Sequence, residues 1–103
     1  MLVSRGYQGG DVVSFKLITG DEIVAKIVDA GPNGFEVAKP CTVMPGPQGM
    51  GLIQSLFTAD ADVNVVLQKE HVIMHAPSID QMRNHYIKTT TGIEPVTRGG
   101  IIT

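Results

Sequence analysis

The two histidines with the most suggestive spacing are His71 and His75, which lie four residues apart. On a helix this spacing would place both rings on one side, where they could share a metal ion. The surrounding segment alternates like a strand, however, and four residues of strand span about 13 Å, too far for one ion. We therefore interpret them as ordinary strand residues, with a subunit contact as a further role. A metal site between symmetric copies is an alternative that no motif supports.

Other reactive side chains also lack a catalytic or ligand-binding pattern. Asp60 and Asp62 resemble part of a calcium loop but lack its glycine and distal glutamate, so we predict a turn or bulge. Cys41 is the single cysteine, which excludes an internal disulfide, and we interpret it as a small buried or interfacial residue. Because the chain has no phosphate-binding glycine loop, nucleophile elbow or zinc signature, we expect no enzyme activity and no cofactor.

Composition limits the class of protein. The 103 residues suffice for one domain with a modest core. Charged residues are only 17%, which suggests that another subunit covers part of the surface. The net charge of −2 gives no overall basic signature for nucleic acid. The first ten residues lack the apolar segment of a signal peptide, and no run has the length of a membrane span, so we expect a cytoplasmic protein without membrane contact.

Any functional side chains must be positioned mainly by strands. Residues 11–40 predict three antiparallel strands, because apolar and polar residues alternate on both sides of a glycine-containing turn. Pairing Phe15 with Ala25 and Val13 with Ile27 places the apolar residues on one face and leaves 19–21 as the hairpin loop.

The same pairing brings two lysines together. It places Ser14 opposite Lys26, with Lys16 diagonal to it, so Lys16 and Lys26 form a small basic patch on the polar face. The alternative interpretation is an ordinary solvated strand face.

The rest of the chain predicts three more strands and one helix. Pro40 lies within the third strand, at about 35–44, and indicates an edge, a bulge or a bend. Ser78 and Gln81 form a capping-box pattern before a helix from about Ile79 to Thr90. The remaining predicted strands are 51–58, for which a short helix is the alternative, 63–68 and 71–76, the last two joined by a tight turn at Lys69 and Glu70.

This order of elements resembles the Sm-like superfamily, which includes the bacterial RNA chaperone Hfq. The segment 13–27, with Gly20 in its turn, is similar to the first Sm motif. Asp29 and Asn33 are similar to the Asp and Asn of the loop after strand two. The segment 67–78, LQKEHVIMHAPS, is similar to the second motif of Hfq. These segments lie within residues 13–78, which are roughly two thirds of the chain.

The resemblance implies an all-β fold: a small, strongly bent five-stranded barrel, with a C-terminal helix and an extended hairpin between strands three and four. It also implies a homo-oligomeric ring of about five to seven subunits joined through edge strands. The implied domain plan is listed in chain order: a flexible arm at 1–10, the barrel at 11–76 with a protruding hairpin at 45–62, the helix at 77–92 and a tail at 93–103.

Two functions follow as expectations. The first is binding of single-stranded RNA without catalysis, at a pocket formed by the loop after strand two and the last tight turn. The expected RNA-binding residues are Asp29, Asn33, Phe35 and Lys69, with Lys16 and Lys26 adding charge. The alternative is a structural or adaptor oligomer that binds a protein partner through residues 45–58 and no nucleic acid.

Overall fold

The computed structural model describes residues 6–47 and 49–91. Helix α1 spans Asp80–Thr91, and a short 3₁₀ turn at Lys69–His71 joins the last two strands. A mainly β chain followed by a helix is therefore confirmed, and the helix differs from its predicted bounds by one residue at each end. The strands are β1 (Val12–Leu17), β2 (Glu22–Gly31), β3 (Gly34–Gly46), β4 (Gly49–Gln54), β5 (Val65–Gln68) and β6 (Val72–Pro77).

The strands of the described residues form one antiparallel sheet in the order β4-β3-β2-β1-β6, with β5 also paired to β3. The expected closed barrel of five strands is wrong, because the sheet has six strands and is not closed. The sixth strand arises because Gly49–Gln54 pairs with the second half of β3 and extends the predicted hairpin into the sheet. Strands β5 and β6 lie at opposite sides of the sheet.

The sheet is strongly bent. His75 on β6 and Phe35 on β3 are separated by two intervening strands, which would put them about 14 Å apart in a flat sheet. Their ring centroids are nevertheless 5.0 Å apart. The concave face of the sheet therefore curves around an apolar core. The buried members of this core are Val13, Phe15, Ile23, Ala25, Ile27 and Val37.

Helix α1 covers the opposite face of the sheet. Because successive strand residues point to opposite faces, Val13 belongs to the concave core whereas Val12 belongs to a second cluster. That cluster contains Val24, Cys41 and Tyr86, with Met82, Ile87, Val43 and Leu52 packed around it. The two faces of the sheet are thus both partly covered by apolar contacts.

The first hairpin differs from its predicted register by two residues. Phe15 pairs with Ile23, not with Ala25. The loop is Ile18-Thr19-Gly20, closed by a hydrogen bond from the Leu17 N–H to the Asp21 carbonyl at 2.9 Å. Gly20 has a φ of +96°, the left-handed conformation that the last residue of a three-residue loop requires. This turn fixes the register.

A bulge, one of the three features that Pro40 indicated, interrupts the pairing of β2 with β3. Val24 pairs with Cys41 but Lys26 pairs with Ala38, so β3 carries one extra residue. Lys39 lies in this bulge with a φ of +49°. The Tyr86 hydroxyl fills the gap in the ladder: it accepts from the Lys26 N–H at 3.1 Å and faces the Ala38 and Lys39 carbonyl oxygens at 2.8 and 3.0 Å. One helix hydroxyl therefore bonds to backbone groups of three residues at the bulge, and its single proton is shared between the two carbonyl oxygens.

The N-terminal segment is partly anchored, where the sequence predicts a loose arm. Tyr7 packs against the concave core, and its hydroxyl lies 2.7 Å from His75 Nδ1. Burial and the nearby Asp11 carboxylate raise the pKa of Tyr7. Residue 92, at the end of the predicted helix segment, and the predicted tail at 93–103 lie outside the described residues.

Candidate functional site

The turn after β2 and the 3₁₀ turn after β5 form an open cleft of about 690 Å³. The Lys69 N–H donates to the Asn33 carbonyl oxygen at 3.0 Å and ties the two turns together. The residues that line the cleft are Pro32, Asn33, Gln68, Lys69, Glu70 and Val72. The structure therefore brings together Asn33 and Lys69, two of the residues that the sequence assigned to an RNA pocket.

Gly34 permits this close arrangement. It pairs with Gln68 at the start of the β3–β5 ladder. A Cβ atom at this position would overlap the Leu67 carbonyl oxygen and lie 3.2 Å from the Leu67 carbonyl carbon. Only glycine lets the turn after β2 approach β5 this closely.

Asp29 lies in a second, smaller depression of about 280 Å³ that adjoins the same turn. It pairs with Glu36 across the β2–β3 ladder. Asn33 and Gln68 line both depressions. Asp29 is thus near the predicted pocket, but on the side where a second carboxylate faces it.

The charges around the two depressions have mixed signs. Lys69 provides a cation, whereas Glu70, Asp29 and Glu36 provide carboxylates. These carboxylates repel phosphate and reduce the attraction that Lys69 exerts. The neutral donors of Asn33 and Gln68 suit hydrogen bonding to a base edge better than neutralisation of a nucleic-acid backbone.

Phe35 does not line either depression. Its ring packs inside the concave face, with centroid distances of 5.1 Å to Phe15, 5.0 Å to His75 and 6.3 Å to Tyr7. The ring is partly buried and packs against the concave core among these three rings. Stacking on a base would require it to leave these contacts.

The predicted pairing behind the basic patch of Lys16 and Lys26 is wrong. Ser14 pairs with Val24, and Lys26 pairs with Val12. Lys16 lies opposite Glu22, a carboxylate, so its nearest cross-strand charge is negative. Neither lysine lines the cleft at Asn33.

The remaining reactive residues have structural contacts. The Asp60 carboxylate accepts from the Asp62 N–H at 2.9 Å, which confirms the predicted turn, and Asp62 pairs with Lys39 at 3.3 Å. Burial raises the pKa of the Cys41 thiol, although Lys39 opposes this effect. Within residues 6–47 and 49–91, no group of three or more His, Cys, Asp or Glu side chains is placed to hold a metal ion.

The sequence did not predict two features near the site, the Tyr7–His75 hydrogen bond and the position of Gln68. The Tyr7–His75 hydrogen bond joins segments 68 residues apart, and no pattern around Tyr7 signals it. Gln68 lines both depressions, but only the β3–β5 register places it beside Gly34. The one sequence feature that points to Gln68 is its position directly before the turn at Lys69.

The fold and the cleft define a mainly antiparallel β protein with one described helix and a polar, mixed-charge depression at the junction of two turns. No protein-family model matches the sequence, and neither does any curated protein. The described part of the chain contains no helix of the length and apolar character needed to cross a membrane.

Proposed function

We propose that this chain is a non-enzymatic subunit of an Sm-like homo-oligomeric ring that binds single-stranded RNA at the Asn33–Lys69 cleft. The observation that carries the proposal is the pair of edge strands β5 and β6. Within the described residues, β5 pairs only with β3 and β6 only with β1. Each strand therefore presents one row of backbone N–H and C=O groups that another chain can pair with.

These two strands also expose apolar side chains. Ile73 and Met74 on β6 are 57% and 62% exposed, and Val66 on β5 is 55% exposed. A lone chain would leave them in water beside unpaired backbone. Pairing of β5 with β6 of the next copy covers both kinds of surface at once.

The geometry of the two edges allows a ring. Strands β5 and β6 are different surfaces, so pairing one to the other is a head-to-tail contact, which gives a closed ring when the rotation between copies closes and an open filament when it does not. Their connection is the three-residue turn Lys69–His71. Each copy therefore places Lys69 and the adjoining Asn33 next to a subunit contact, and the ring repeats the cleft once per subunit.

Single-stranded RNA is the ligand that suits such a repeated cleft. Its unpaired bases expose donor and acceptor edges, which the amides of Asn33 and Gln68 can match. Lys69 supplies a contact to the backbone, and its effect multiplies with the number of subunits. Glu70 limits the affinity of each cleft because its carboxylate repels phosphate.

Fluorescence anisotropy with short uridine-rich and adenine-rich oligonucleotides tests this proposal. We expect binding that weakens with salt. The Lys69→Ala variant should bind several-fold more weakly, with a salt slope smaller by about 0.7 for each cleft engaged. Lys88→Ala, which removes the same charge from the exposed last turn of α1, is the matched control and should bind like the parent protein.

Two results would count against RNA binding. Absence of binding at low salt would leave the adaptor oligomer as the better function. Equal loss of affinity in the Lys69 and Lys88 variants would show that any bound RNA senses general charge and not the cleft.

A further inference from the structure

We propose that the loop between β4 and β5, residues 55–64, packs against the start of helix α1 of the neighbouring copy. This surface is an addition to the strand pairing and rests on the ring assembly proposed above. We call residues 55–64 the bridging loop.

The bridging loop lies on the same edge of the sheet as β5. Strand β4 pairs with residues 41–46 of β3 and β5 pairs with residues 34–37, so the two strands lie end to end along β3. The bridging loop fills the interval between them. It is held there by the Ser55 N–H donating to the Pro40 carbonyl at 3.0 Å and by the Lys39–Asp62 ion pair. A strand added to β5 would therefore run directly towards this loop.

The bridging loop exposes large apolar side chains on this edge. Phe57 is 71% exposed, Val63 57% and Leu56 47%. Val63 and Leu56 line a cavity of about 280 Å³ together with Val65, where β5 begins, and with Thr89 and Thr90 at the end of α1 of the same chain. The apolar side chains of the loop thus adjoin the start of β5.

The opposite edge of the chain carries a matching feature. Strand β6 has six residues and β5 has four, so β6 extends past β5 in any pairing between copies. In an antiparallel pairing that sets Val72 opposite Gln68 of the neighbour, His75 lies opposite Val65, and Ala76 and Pro77 extend past the start of β5. The chain continues from Pro77 to Ile79, which is 70% exposed at the start of α1. Ile79 of one copy then lies over the bridging loop of the next.

The size of the strand contact also requires a second surface. Stable interfaces cover about 800 Å² on each partner, or roughly 20 residues a side. A four-residue strand such as β5 supplies only a fraction of this area. Contact of Phe57 and Val63 with Ile79 enlarges the interface with surface that is otherwise left in water.

Disulfide cross-linking tests this contact in the full chain. The Cys41→Ala background removes the native thiol, and Phe57→Cys with Ile79→Cys places one thiol on each proposed surface. Mild oxidation should give a ladder of covalent multimers on a non-reducing gel. Either single cysteine variant should stay monomeric on that gel, because one contact needs both positions.

A matched pair checks the direction of the added strand. Ile18 is 58% exposed and its N–H donates to the His71 carbonyl, so it lies at the opposite end of β6 from Ile79. Phe57→Cys with Ile18→Cys should therefore not cross-link. A ladder from this pair instead of the Ile79 pair would overturn the proposal.

Light scattering on the same samples separates this inference from the ring itself. A ring without any Phe57–Ile79 ladder would overturn the bridging-loop contact and leave the ring proposal standing. A monomer would overturn both. A ring whose ladder extends to the full number of subunits supports both.

Discussion

Tyr86→Phe should lower the free energy of unfolding by about 2–3 kcal/mol, because it leaves buried backbone groups without a partner. The lost hydroxyl serves the Lys26 N–H and the carbonyl oxygens of Ala38 and Lys39 in the bulge. Tyr86 is 1% exposed, so water cannot easily replace it. The phenylalanine ring keeps the packing, and the variant therefore isolates the hydrogen bonds.

Urea unfolding followed by circular dichroism measures this effect. Tyr7→Phe is the matched control, since it removes the hydroxyl of the only other tyrosine in the chain. That hydroxyl bonds to His75 at an exposed position, so the control should cost less than about 1 kcal/mol. Equal losses in the two variants would contradict the role assigned to Tyr86.

The pH dependence of the free energy of unfolding is a second test of the role of Tyr86. Burial, and to a lesser extent Cys41, raise the pKa of Tyr86, while the Lys26 N–H acts in the opposite direction. Above the ordinary tyrosine pKa of 10.0 the unfolded chain loses this proton and the native chain keeps it. The contribution of the protonated Tyr86 hydroxyl to the free energy of unfolding is therefore fully present below that pH and is lost as the pH rises above it. Tyr86→Phe should flatten this decline, whereas Tyr7→Phe should retain most of it.

Gly34→Ala should be comparably damaging, and it should act on assembly as well as on stability. The added methyl group meets Leu67 backbone atoms, which cannot move aside as a flexible side chain would. We expect a cost of about 2–3 kcal/mol, the upper part of the range of about 1–3 kcal/mol for overpacking, because the clash is with backbone atoms. Because Gly34 pairs with Gln68, the clash displaces β5, the strand that we propose joins the next copy.

Gly31→Ala provides the control for this substitution. It lies at the end of β2 in the same turn region, and a Cβ atom there meets nothing within 4 Å. Thermal unfolding and light scattering should show a lowered melting temperature and loss of the oligomer for Gly34→Ala only. Similar behaviour of the two variants would mean that the approach of β3 to β5 is not critical.

Periodicity in the sequence was enough to find the strands but not their register. The predicted and observed pairings of β1 with β2 differ by two residues, and a two-residue slip keeps every side chain on its own face. Phe15 therefore reaches the core in either register. The loop conformation at Gly20 selects the observed register, which the alternation of apolar and polar residues does not determine.

The candidate site was only partly predictable for a related reason. The order of the motifs placed Asn33 and Lys69 in neighbouring turns, and the structure joins those turns with a hydrogen bond. The position of Phe35 depends on the bend of the sheet, which brings His75 and Tyr7 onto its ring. Curvature of this degree depends on the bulge and on tertiary contacts, so local sequence could not place Phe35 against the core.

The mass of the assembled protein tests the central proposal most directly. Native mass spectrometry of the 11.0 kDa chain at micromolar concentration should give one dominant species at a whole multiple of that mass, about five to seven subunits. A closed ring predicts that this number does not grow with concentration. A dominant monomer, or a series of oligomers that lengthens with concentration, would contradict the pairing of β5 with β6 in a ring.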